Sequence, residues 1–131
     1  MNRDEQICYW VDTSDKDYNA MKNLFNNGDY HWALFISHLI LEKLFKALFI
    51  VKNIDKPIPK THDLNLLAQK CNVEISEDIA DLLDLFTTFN INSRYPDYKY
   101  NFYKLCTKDF TNGKIKELEE LRKWLKELIK A

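Results

Sequence analysis

His31, His38, Glu42 and Lys46 recur at spacings that, at about 100° per residue, gather them into a sector about 80° wide on one helix, with Lys43 a little further round. Imidazole, carboxylate and ammonium groups sharing a strip are the side chains of proton transfer and of anion binding. Two arrangements satisfy the spacing. In one, the strip faces water and His38, Glu42 and Lys46 support each other at i, i+4 for roughly a few tenths of a kcal/mol per pair. In the other it lines a cleft, within the molecule or between two copies, with Phe35 and Phe49 as walls and the polar groups placed for a ligand.

A second group of candidates sits in Ser93-Arg94-Tyr95-Pro96-Asp97-Tyr98. A guanidinium at a helix end, followed by proline and flanked by tyrosines, can grip a phosphate with its fork and stack on a base. Arg94, Tyr95 and Tyr98 therefore join His38, Glu42, Lys43 and Lys46 as candidate ligand-binding residues. The alternative for Arg94 is an ion pair with Asp97 or Glu42 that pins the segment to the helix. Thr61-His62-Asp63 reads as a helix start, in which Thr61 or Asp63 satisfies free amides and His62 packs nearby.

Other chemistries are disfavoured. His31 and His38 are two turns apart, no His-Glu-x-x-His pair accompanies them, and no Glu-x-x-His pairs exist for a di-iron site, so no metal is expected. Two glycines leave no phosphate-cradling loop, and no nucleophile elbow is present, so no cofactor is expected either.

The elements that must position these residues are helical. With two glycines and three prolines, the chain has too few turn formers for many short strands. Ile7, Trp10, Ser14, Tyr18, Met21 and Phe25 form one stripe of a helix over about Asp4 to Asn26, which Asn26-Asn27-Gly28 ends. Gly28 can take the left-handed conformation there, and Asp29 can cap the next helix. That helix, roughly Asp29 to Lys52, is apolar over most of its circumference and must be packed on several sides. Asn53 to Lys60, with Pro57 and Pro59, is a linker. A short helix runs from Thr61 or His62 to Cys71, and another from Ser76 to about Phe89, with Glu77, Asp81 and Asp84 on its solvated side. Between Asn90 and Cys106 the periodicity fails among crowded aromatics, which predicts an ordered loop. A final amphipathic helix begins as early as Thr107, with Gly113 inside it. The expected architecture is all-α: an up-and-down bundle of about five helices, four long and one short, forming a single domain over residues 1–131.

Lys plus Arg number 19 against 20 Asp plus Glu, a net charge of −1, so any nucleic-acid contact must be local. A duplex-DNA reader is disfavoured for the same reason and for want of a basic recognition helix. Cys8, Cys71 and Cys106 are far apart and odd in number, which suits core thiols in a reducing compartment. Arg3, Asp4 and Glu5 replace an apolar leader, and no run approaches the ~20 apolar residues of a membrane span, so a cytoplasmic protein without membrane contact is expected.

In combination the motifs resemble the HEPN domains, helical proteins linked to nucleotide and RNA processes. Gly28-Asp29-Tyr30-His31-Trp32-Ala33 and His38-Leu39-Ile40-Leu41-Glu42-Lys43-Leu44-Phe45-Lys46-Ala47-Leu48 are similar to the family's G-x-Y-x-x-A and A-x-E-K-x-L-K-A-L core. Pro59-Lys60-Thr61-His62-Asp63-Leu64 resembles its P-K-T-H-D-L turn. Ser93-Arg94-Tyr95-Pro96-Asp97 resembles the R-Y-P-D segment of a branch often paired with a minimal nucleotidyltransferase. The resemblance implies structural roles for His62, Asp63, Pro96 and Asp97. It also implies a homodimer that associates with nucleotide or RNA and partners such a nucleotidyltransferase in a toxin–antitoxin-like system. In ribonuclease members four to six residues separate the arginine from a following histidine; here the positions that histidine would take are Lys99, Tyr100 and Asn101. The expectation is therefore a protein that is not itself a catalyst. The alternative is a metal-independent RNA-cleaving toxin using Arg94 with His38, Glu42 or a tyrosine as acid or base.

Overall fold

The computed structural model describes the backbone of residues 1–131 and all side chains except those of residues 96–99. Six helices follow in order: α1 (Arg3–Asn26), α2 (Tyr30–Lys52), α3 (Leu64–Lys70), α4 (Glu77–Asn92), α5 (Pro96–Leu105) and α6 (Lys108–Lys130). No strand occurs among the described residues. The chain is an all-helical bundle, as its shortage of turn formers predicts.

α2 lies at the centre and touches each of the other helices. Its apolar circumference demands this: Ala33, Leu34, Ile40, Leu41, Leu44, Phe45, Ala47 and Leu48 are completely buried, and Phe45, Phe86 and Phe89 are the largest buried side chains. One contiguous core cluster joins these residues to Met21 of α1, Leu67 of α3, Leu83 of α4, Phe102 of α5 and Leu118, Leu121 and Leu125 of α6. None of the helices among the described residues is long and apolar enough to cross a membrane.

The helix ends are set by local chemistry. α1 stops where Gly28 takes a φ of +86°. The Asp29 amide then donates to the Leu24 carbonyl at 2.8 Å and the Gly28 amide to Phe25 at 3.0 Å, the paired bonds that close a helix C-terminus. Asp29 differs from expectation: its carboxylate accepts from the Asn27 amide group at 2.9 Å and caps nothing in α2. The Asp63 side chain accepts from the amides of Asn65 and Leu66 and opens α3. Ser76 and Thr107 open α4 and α6 in the same way.

α1 and α6 are stitched together by Asp15, whose carboxylate lies 2.9 Å from Arg122 and 2.6 Å from Lys126. Burial opposes ionisation of Asp15, but the two cations outweigh it and hold its pKa below 3.8. Tyr18 donates to Glu119 beside them, under the Arg122 guanidinium at 4.0 Å.

Two expectations are corrected here. The segment expected as an ordered loop contains α5, a sixth helix, which Pro96 opens at its first turn. Phe102 is buried while Tyr100, Tyr103 and Leu105 are exposed, so the helix has almost no apolar stripe from which to be recognised. Cys8 is exposed and is not a core thiol, whereas Cys71 and Cys106 are buried.

Candidate functional site

The polar strip of α2 does not face water. His38 is fully buried and Glu42 is 6 % exposed, because the start of α3 and the last turns of α4 pack over that side of the helix. What replaces water is a directed chain of hydrogen bonds that crosses three elements.

The chain begins at Arg94, just beyond α4, which donates through Nε to the Asn90 carbonyl at 2.9 Å and through Nη2 to Asn90 Oδ1. That second bond fixes Oδ1 as the acceptor and leaves Nδ2 as the donor. Asn90 Nδ2 stands 3.2 Å from His38 Nδ1, so this ring nitrogen must be the acceptor. The proton of the neutral ring is then on Nε2, which donates to the His62 carbonyl at 2.8 Å. Burial is the main reason that the His38 pKa lies below 6.5, and the nearby Arg94 and His62 also disfavour a charged ring; Glu42 and the His62 carbonyl oppose them without prevailing. His38 is a neutral imidazole with both nitrogens committed.

Glu42, one turn further along α2, is shared. Its Oε1 accepts from His62 Nδ1 at 2.6 Å and its Oε2 from Lys46 Nζ at 3.1 Å. Lys46 also sits 5.4 Å from the Trp10 ring centre, which closes that end of the strip under α1. A buried carboxylate needs such partners, since an unpaired charge there would be costly. The His62 side chain is 63 % exposed.

The candidates from sequence thus fall into different places. Arg94, His38, Glu42 and Lys46 share one network. Arg94 does not pair with Glu42; it lies over the Phe35 ring at 5.9 Å and the Tyr95 ring at 5.5 Å. Phe49, expected as the second wall, is in the core. Lys43 points away from the network, to Asp17 of α1 at 2.6 Å, because helical spacing gives its angle but not its neighbour. His31 lies between Trp32 and Tyr103, with ring centres at 4.9 and 5.2 Å, and its carbonyl accepts from Ser93 Oγ at 3.3 Å. Asp63 caps α3, and Pro96 opens α5. The side chains of Pro96, Asp97 and Tyr98 lie outside the described residues. No group of three His, Cys, Asp or Glu side chains suited to a metal ion occurs among the described residues.

Asn90 is the site residue that sequence reasoning missed. The failing periodicity places it at the start of a loop, yet it is in the last turn of α4 and 3 % exposed. Its signal was available: Asn90 follows Phe86 by four residues and Leu83 by seven, so an amide occupies the apolar stripe, and Arg94 stands four residues beyond.

Chemically, the arrangement offers a fixed guanidinium for phosphate at Arg94 and a carboxylate-held imidazole at His62, with His38 between them. Each comes from a separate motif segment: the α2 core, the turn before α3 and the segment after α4. Comparisons with curated proteins and with solved structures return no match, but a family model described as HEPN domain matches residues 7–128. The chain belongs to the HEPN family.

Proposed function

We propose that this chain is a homodimeric, single-domain HEPN protein of the cytoplasm. It binds nucleotide or RNA through Arg94 and partners a minimal nucleotidyltransferase in a toxin–antitoxin-like system. The observation that carries the reading is the anchoring of Arg94: two hydrogen bonds to Asn90, itself locked by His38, hold the guanidinium in place while the residue remains exposed. An anion-binding arginine held in advance loses less side-chain freedom on binding. Tyr95 beside it is half-exposed and offers a stacking face.

The dimer and the partner are supported by exposed Ile91, Tyr95, Tyr100, Tyr103 and Leu105, which cluster in sequence around Arg94 and on α5. The R-Y-P-D resemblance supports the nucleotidyltransferase branch. Against catalysis by the buried strip, His38 has no free nitrogen and Glu42 no free oxygen directed at solvent.

Purified protein should elute as a dimer, retain labelled single-stranded RNA or nucleotide, and co-purify with a co-expressed nucleotidyltransferase. Arg94→Ala should weaken RNA binding about 10-fold, the effect of losing one charge-assisted contact. A native protein that ignores both RNA and nucleotides would end the binding reading, and a monomer at micromolar concentration would end the dimer.

A further inference from the structure

α4 and α6 both pack on α2 but barely touch each other, and a groove of about 280 Å³ lies between them. Its walls are apolar: Ile75 in the turn before α4, Ile79 and Leu82 on α4, and Leu121 and Trp124 on α6. Ile75, Ile79 and Leu82 follow one another at four and three residues, beside the Leu83 and Phe86 that α4 buries. α4 is therefore apolar over more of its circumference than the core uses. All of the wall residues except Leu121 are only partly buried, so apolar surface stays open to solvent there. The rim is acidic. Glu74, Glu117 and Glu120 line the same groove, and no lysine or arginine does. Glu117 pairs with Lys114 at 2.8 Å, whereas Glu74 and Glu120 form no ion pair among the described residues.

We propose that the α4–α6 groove is a docking site for an amphipathic helix of a partner protein, one whose apolar stripe is flanked by lysine or arginine. The charge of the rim selects the occupant. Three carboxylates repel phosphate, which disfavours RNA on this face, and they complement a cationic surface. The shape selects a helix. Walls formed by two helices accept side chains spaced at i, i+3 or i+4 and i+7, while basic residues beside that row meet Glu74 and Glu120. The volume falls just below the roughly 300–1,000 Å³ of ligand pockets, which suits a few anchoring side chains better than a whole cofactor. Trp124 gives the groove a large aromatic surface against which an arginine can stack. Ile79 precedes Arg94 by fifteen residues, about 22 Å at 1.5 Å per residue, so this surface is separate from the arginine and does not rest on the RNA-binding reading.

The test titrates the full-length protein with three synthetic helical peptides, followed by tryptophan emission and by calorimetry. The first carries leucines at i, i+3, i+4 and i+7 flanked by arginines, the second the same leucines flanked by glutamates, and the third the arginines with serine in place of leucine. The first should bind with a micromolar Kd, and the other two at least about 10-fold more weakly. Glu74→Lys combined with Glu120→Lys, at two exposed positions, should weaken the first peptide about 10-fold and strengthen the second. Trp124→Phe should remove the change in emission, because Trp10 and Trp32 do not line the groove, while calorimetry still detects binding. Ile79→Arg should block the groove. No binding of the first peptide, equal binding of all three, or indifference to the charge reversal overturns the proposal. Butylguanidinium bound as tightly as the peptide would overturn it in favour of a small organic cation. Dissociation of a wild-type oligomer by Ile79→Arg would overturn it in favour of a second copy of this chain. None of these outcomes bears on RNA retention at Arg94.

Discussion

Asn90 is an amide that does the work of a joint. Its carbonyl and Oδ1 hold Arg94 and its Nδ2 satisfies His38, so Asn90→Ala strands two polar partners. A loss of about 1–3 kcal/mol is expected in urea denaturation, accompanied by weaker RNA retention as Arg94 is released. Asn90→Asp should act differently, because a carboxylate cannot donate to His38 Nδ1; the ring must turn protonated or exchange its tautomer. The wild-type ring also predicts a pH response. Burial first, then Arg94 and His62, set its folded pKa under the ordinary 6.5, so between the two values the unfolded chain binds more protons. Stability should therefore be fully present above pH 6.5 and fall as pH drops towards the folded value, by at most about 1.4 kcal/mol per pH unit for one group. Denaturation midpoints at pH 7.5, 6.5 and 5.5 should show this slope, and His38→Asn should flatten it.

At the scale of elements, the two glycines predict opposite outcomes for the same change. Gly28 has a φ of +86°, so Gly28→Ala should destabilise the α1–α2 turn by about 1 kcal/mol although nothing crowds the added methyl. Gly113 lies inside α6 with open space where a Cβ would be, so Gly113→Ala should raise stability by about 0.5–1 kcal/mol. Thermal unfolding of the two variants side by side decides both. Elements with a strong stripe or a capping residue were readable in advance, α1, α2, α4 and α6 among them. α5 was not, because a helix that buries Phe102 and leaves Tyr100 and Tyr103 exposed shows no stripe. The site divides along the same line. His38, Glu42, Lys46 and Arg94 were visible as polar groups out of place on apolar helices or beside aromatics. The pairing of Lys43 with Asp17 and the place of Asn90 beside His38 do not show in the sequence, because each partner comes from another helix. The Glu42–His62 pair was invisible for that reason too: only the packing of the turn before α3 onto α2 brings the two together.

For the whole molecule, a net charge of −1 predicts that RNA binding depends on few contacts. The affinity for single-stranded RNA should fall with salt on a shallow log–log slope, near about −0.7 for each phosphate engaged, and Arg94→Ala should reduce the slope by one such step. A steep slope would place the contacts on some other basic surface. The three cysteines carry a different kind of consequence. The thiols of Cys71 and Cys106 are buried, which pushes their pKa values up to about 11 and about 12, whereas Cys8 is exposed on α1. The native protein should thus titrate as a one-thiol species with a chromogenic disulfide reagent and as a three-thiol species once unfolded. Nature has in effect installed a single attachment point for a dye on α1, through which the arrival of a second copy or a partner can be watched without engineering a cysteine away.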